Sequence, residues 1–122
     1  DTYLVHELAE TDLARKLSEG RVSADDADEV EANVREALRV LHRFGLVHCD
    51  VREDNILRVG GEWRLGDLGG VVEADAPMTA VQRDREYVPA GVGIGGPAAT
   101  KNDTFALEVV LRHLRGGAGA ST

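Results

Sequence analysis

Aromatic residues are scarce in this chain, at 4% of 122 residues, so aliphatic side chains and alanine must fill most of any core it builds. A single cysteine, Cys49, excludes an internal disulfide, and no His/Cys cluster has zinc-finger spacing. That usage fits a reducing, intracellular setting, with the cytoplasm as the expected compartment. Basic residues are outnumbered by acidic ones, and the formal net charge of -8 speaks against nucleic acid or an anionic membrane surface as the main partner. No apolar run approaches the length of a membrane span, and the first residues lack a basic-then-apolar signal pattern. With 43% hydrophobic content, the chain has material for one core and is too short for two ordinary domains.

Periodicity predicts a long helix from about Ala24 to Phe44, where Ala27, Val30, Val34, Leu38 and Leu41 recur at three- and four-residue intervals as one apolar stripe. Ser23 can cap its start, Asp25 and Asp26 suit the positive end of its dipole, and Gly45 can close it. A shorter helix is predicted over Asp12 to Ser18, with Thr11 as its cap, Leu13 and Leu17 on one face, and Gly20 ending it. The stretch from Gly69 to Ala99 reads as an irregular loop rich in glycine, alanine and proline. Asp103 can cap a final helix through about Leu114, with Ala106, Val109, Val110 and Leu114 inward. Residues 116–122 read as a flexible tail.

Chemistry concentrates between these helices. Ile56-Leu57-Arg58-Val59 and Glu62-Trp63-Arg64-Leu65 are strand-like runs joined by Gly60-Gly61, a dipeptide that tolerates the positive φ angles of a tight hairpin. That turn places Asn55 opposite Gly66 at the open end, with Asp67 next along. The Asn55 amide oxygen and the Asp67 carboxylate can then converge on a hard divalent cation, which needs only one or two protein oxygens. Asp50 can lie across the same mouth to orient a hydroxyl or take its proton, and Arg52 can supply positive charge to a phosphoryl group.

The run His48-Cys49-Asp50-Val51-Arg52-Glu53-Asp54-Asn55, the hairpin, and Asp67-Leu68-Gly69 together resemble the protein kinase superfamily pattern His-x-Asp-x-Lys-x-x-Asn followed by Asp-Phe-Gly. Arg52 stands where lysine is usual, and Leu68 where phenylalanine is usual. Cys49 replaces the arginine that often grips a phosphorylated activation loop, so the resemblance does not extend to control by that route.

The resemblance implies an α+β, mainly helical fold: a kinase C-lobe fragment over residues 1–115 with a small catalytic-loop β-hairpin and the hinge strand attached. It implies ATP and Mg2+ as cofactors, a protein substrate, and transfer of the γ-phosphoryl to a serine or threonine hydroxyl. Asp50 and Arg52 take the catalytic roles, and Asn55 and Asp67 hold the metal. Thr2 to Ala9 resembles the last N-lobe strand running into the hinge, with His6 as gatekeeper, Glu7 and Ala9 offering backbone groups to adenine, and Leu57 as the floor beneath the ring. His48, Leu68, Gly69 and Asp103 are expected as structural support, Asp103 by anchoring the catalytic-loop backbone. Arg85 to Ala90 resembles the end of an activation segment without its final glutamate, and Glu108 departs from a usual glycine.

The glycine-rich loop, the phosphate-contacting lysine and its glutamate partner have no counterpart before Tyr3, and the first residue is Asp1. The chain is therefore expected to be a piece of a longer reading frame, with little activity of its own. Its hinge strand is an exposed edge available for self-association. Two other readings stand beside this one: a small-molecule kinase of the aminoglycoside or choline type, and a pseudokinase-like interaction module. Simpler roles are expected for other residues. Cys49 reads as a small filler, Trp63 and Tyr87 as packing aromatics, Arg52 alternatively as a solvated cation, and His42 and His113 as surface or core histidines.

Overall fold

The computed structural model describes residues 9–78, 85–93 and 96–116. The predicted hinge strand up to residue 8, with His6 and Glu7, and the tail beyond Gly116 lie outside these described residues. The fold is mainly helical with two small sheets. Strand β1 (Thr11–Asp12) leads into helix α1 (Leu13–Glu19), and the long helix α2 (Ala24–Arg43) follows, then strand β2 (Leu46–Val47). A 3₁₀ turn at Glu53–Asn55 opens the hairpin of β3 (Ile56–Val59) and β4 (Glu62–Leu65). Beyond it come a 3₁₀ turn at Leu68–Gly70, strand β5 (Val72–Glu73), a 3₁₀ turn at Arg85–Tyr87, helix α3 (Thr100–Leu111) and a π-helical turn at Arg112–Gly116.

Helix α2 forms for the reasons its sequence offers. Ser23 Oγ accepts the Asp26 N–H at 3.0 Å, and Asp25 and Asp26 occupy the first turn. Ala27, Val30, Val34 and Leu38 are buried, and each Val or Leu stabilises the fold by about 1.5–3 kcal/mol. At the far end Gly45 adopts φ 74° and donates its N–H to the His42 carbonyl, a left-handed stop that glycine accepts without strain.

Three local expectations need correction. Helix α1 is capped by Asp12, not Thr11: Thr11 pairs with Arg58 in β1, so the Asp12 carboxylate is the one positioned to accept the Arg15 N–H, at 2.8 Å. Helix α3 starts at Thr100 after Ala99, with no side-chain cap, because the Asp103 carboxylate is drawn away to backbone amides of another segment. Its α-helical part ends at Leu111, and Leu114 is buried from the π-helical turn instead. Within the stretch read as irregular, Val72–Glu73 is a strand, antiparallel to β2 with Val47 opposite Val72.

The hairpin has the predicted register: Ile56 faces Leu65 and Val59 faces Glu62, with Gly60 at φ 58° and Gly61 at φ 79°. β1 adds a third antiparallel strand on its β3 side. Helix α2 clamps the hairpin at one residue. Glu29 Oε2 accepts the Trp63 N–H at 2.8 Å, and Asn33 Nδ2 donates to the Trp63 carbonyl at 2.9 Å. Glu29 and Asn33 are four apart and so share a helix face. The Trp63 indole is fully buried, with the Arg58 guanidinium 5.2 Å from its ring centroid. Ion pairs close the outer side of the two long helices: Arg35 of α2 meets Glu108 of α3 at 2.7 Å, and Arg115 reaches both Asp28 and Glu31. Among the described residues, no helix is long and apolar enough to cross a membrane.

Candidate active site

The loop from His48 to Asn55 is held by buried polar groups. His48 is fully buried with both ring nitrogens engaged: Nδ1 accepts the Asp50 N–H at 3.1 Å, so the hydrogen sits on Nε2, which donates to the Gly66 carbonyl at 2.8 Å. The imidazole thus ties the loop to the end of β4. Gly66 completes the tie by donating its N–H to the Asn55 carbonyl at 2.7 Å. Asp103 of α3, only 1% exposed, accepts the His48 and Cys49 N–H groups on its two oxygens, at 2.7 and 2.9 Å. His42 Nε2 meets the same carboxylate at 2.9 Å.

Cys49 and Asp67 both occupy the left-handed region, at φ 74° and φ 54°. A non-glycine residue there is strained by about 1–2 kcal/mol and persists only where its surroundings over-determine it. At Cys49 the surroundings are the Asp103 hydrogen bonds. At Asp67 they are the His48–Gly66 tie before it and the Gly69 N–H, which its own carboxylate accepts at 3.3 Å. The Cys49 thiol is pushed up to about 11 by burial first, then by the Asp103 and Asp50 carboxylates. A thiol so placed stays protonated near neutral pH, which disfavours a nucleophilic role.

Asn55 and Asp50 meet directly. Asn55 Nδ2 donates to the Asp50 carbonyl at 2.8 Å and to its Oδ2 at 3.0 Å, which leaves the Asn55 Oδ1 end of the amide pointing elsewhere. Arg52 lies on the other side of Asp50: its Nε is 3.5 Å from Asp50 Oδ1, and its Nη2 donates to Asp54 Oδ2 at 2.7 Å. The cation is therefore neither freely solvated nor uncommitted. Asp67 follows Gly66 at the hairpin mouth and is half-buried. Asn55 and Asp67 offer oxygen donors only, the chemistry suited to a hard cation such as Mg2+, and no cluster of three or more His, Cys, Asp or Glu among the described residues competes for one.

The remaining predicted residues are placed less centrally. Leu57 is 3% exposed, paired across the sheet with Asp12 and Arg64. Leu68 is 52% exposed, and Gly69 is engaged through its N–H. Ala9 is half-buried just ahead of Glu10, whose N–H donates to the Arg58 carbonyl at 2.7 Å.

Sequence reasoning missed Glu53. Its carboxylate is buried and accepts the Tyr87 hydroxyl hydrogen bond, and His113 Nδ1 lies 2.5 Å from its other oxygen. Its partners are Tyr87, expected above as a packing aromatic, and His113, expected as a surface or core histidine. They stand 34 and 60 residues away, so no local spacing announces them.

The sequence matches the protein kinase domain family over residues 1–118. It is 32% identical over 112 residues to the 3-phosphoinositide-dependent protein kinase 1 of Arabidopsis thaliana, covering 80% of this chain and 23% of that protein. It is 31% identical over 115 residues to the serine/threonine-protein kinase PknA of Mycobacterium tuberculosis, covering 88% and 27%. A shorter stretch of 67 residues is 48% identical to the RIO-type serine/threonine-protein kinase Rio1 of Haloferax volcanii, covering 54% and 22%. The chain spans about a quarter of the length of these relatives. With a family match that runs almost from end to end, the chain belongs to the protein kinase family.

Proposed function

We propose that these residues form the catalytic core of a protein kinase C-lobe, and that the intact protein transfers the γ-phosphoryl of ATP to a serine or threonine hydroxyl of a protein substrate. The observation that carries this reading is the Asn55 amide bridging the carbonyl and carboxylate of Asp50 at the mouth of the hairpin that also delivers Asp67. The acceptor type follows PknA and Rio1, both named as serine/threonine kinases.

In this reading Asn55 Oδ1 and the Asp67 carboxylate hold Mg2+, which when bound neutralises phosphate charge. Asp50 orients the substrate hydroxyl. Its Oδ2 is held by Asn55, and Oδ1, which pairs with Arg52 at 3.5 Å, becomes the oxygen to take the proton as Arg52 turns to the phosphoryl group. Arg52 turns from Asp54, which is largely exposed and held by a modest interaction, toward the incoming phosphoryl group. Glu7 and Ala9 offer backbone groups to adenine, and Leu57 supports the ring.

Residues 1–122 alone carry no counterpart of the lysine and glycine-rich loop that position the phosphates. Little activity is expected from them in isolation. The test is calorimetry of magnesium-dependent ATP binding to the longest natural form of the protein, with Asp67→Ala as control. Binding that the substitution abolishes supports a working kinase site. No binding by the unmodified protein sinks the proposal in favour of an interaction module.

A further inference from the structure

Glu53 lies inside the 3₁₀ turn that carries the proposed site, between Arg52 and Asn55, and the turn is closed by the Asn55 N–H donating to the Arg52 carbonyl at 3.0 Å. Glu53 is 6% exposed. A buried carboxylate is costly unless both oxygens are partnered, and here both are. Oε1 accepts from the Tyr87 hydroxyl, and Oε2 faces His113 Nδ1 at 2.5 Å. The other ring nitrogen of His113, Nε2, faces Glu86 Oε2 at 2.7 Å. The Tyr87 and His113 rings meet edge to face with centroids 5.8 Å apart.

A neutral imidazole has one donor nitrogen and one acceptor, whereas the imidazolium has two donors. A histidine with a carboxylate oxygen at each nitrogen is therefore matched to its protonated form. The balance of charge agrees. Burial lowers the His113 pKa, but the hydrogen bonds to Glu86 and Glu53 outweigh it, and the net displacement is upward. On the far side of the same π-helical turn, α2 presents Asp28 and Glu31, both taken by Arg115. Arg112 is the turn's remaining cation.

We propose that Glu53 is a positioning residue for the phosphoryl-transfer site, clamped by Tyr87 and protonated His113 so that Arg52 and Asn55 project from a fixed turn. This rests on the kinase reading above. Two segments distant in sequence, at Tyr87 and His113, converge on this one side chain. Because Glu53 directly follows the cation and opens the turn that carries the amide, releasing it lets both swing. Loss of the His113 proton removes one of the ring's two donors and with it one of the two charged contacts that hold the clamp, so transfer weakens as pH rises through the His113 titration.

The experiment measures kcat against pH, from about pH 6 to 9, for the longest natural form and its His113→Gln, Tyr87→Phe and Glu53→Gln variants, with thermal unfolding as a fold check. The expected result is a fall in kcat of about tenfold for each variant at the low end of the range. His113→Gln should also erase the alkaline decline that the unmodified protein shows. The His113 side chain is 32% exposed, so its variant reports even where Glu53→Gln fails to fold. Folded variants with unchanged kcat and an unchanged pH profile overturn the proposal while leaving the kinase reading intact. An unmodified protein that transfers no phosphoryl group overturns the kinase reading itself, and this role for Glu53 falls with it.

Discussion

The Asp103 carboxylate accepts the backbone N–H of His48 across 55 residues of chain, at 2.7 Å, and its second oxygen takes the next N–H at Cys49. A buried acid on α3 thus holds the start of the His48–Asn55 loop. It also stabilises the left-handed Cys49 that turns the chain toward Asp50.

Replacing Asp103 with alanine leaves two amides without acceptors in the interior and is expected to cost about 3 kcal/mol, whereas Asp103→Asn, keeping one acceptor, should cost less. Urea unfolding of the two variants checks the order. Equal losses would show that the side chain acts through packing alone.

Cys49 should resist alkylation. With its thiol near 11 against a usual value of 9.0, its thiolate fraction near neutral pH is lower by roughly a hundredfold, and its reaction with iodoacetamide should slow by about that factor relative to a small free thiol. Unfolding in urea should restore the ordinary rate. A fast reaction in the folded protein would mean that the thiol is neither buried nor beside two carboxylates.

Stability should also respond to His113. Its folded pKa is raised above the usual 6.5, so the stabilisation it gives is fully present below about pH 6.5 and disappears as pH rises through the higher folded value. The difference in unfolding free energy between the unmodified protein and His113→Gln should therefore narrow on going from about pH 6 to pH 8.5. A gap that stays constant over that interval contradicts the contact with Glu53 and Glu86.

Gly66 is constrained by space. A Cβ there would sit 2.8 Å from Leu57 Cδ1, and Leu57 is buried with little room to retreat. Gly66→Ala is expected to cost about 1 kcal/mol and to disturb Asp67, the adjoining residue, so magnesium-dependent ATP binding should weaken more than thermal stability. Unchanged affinity would show that the hairpin end and the proposed metal site move independently.

The local elements were readable because their causes are local. The apolar stripe of α2, the Ser23 cap and the Gly60-Gly61 turn each depend on residues a few positions apart, and the turn fixed the Asn55–Gly66 pairing as well. The failures have the opposite character. As a helix cap Asp103 fails, because charged hydrogen bonds to two distant amides outweigh a single capping bond, and those bonds are the loop anchor that the kinase resemblance implies. Glu53 carries no local sign of its role, and only the convergence of Tyr87 and His113 makes its burial tolerable. Glu108, an oddity in the kinase pattern, is explained by Arg35 of the facing helix. Such partners are set by packing and leave no periodic trace.

The anchoring of the loop from α3 also orders events in time. A chain emerging from the ribosome can form α2 and the Trp63 clamp early, since both lie wholly before Gly66. The loop between them cannot settle until Asp103 has been synthesised and has docked. During translation the nascent chain therefore carries a formed hairpin before the His48–Asn55 loop has its anchor, which arrives only with α3.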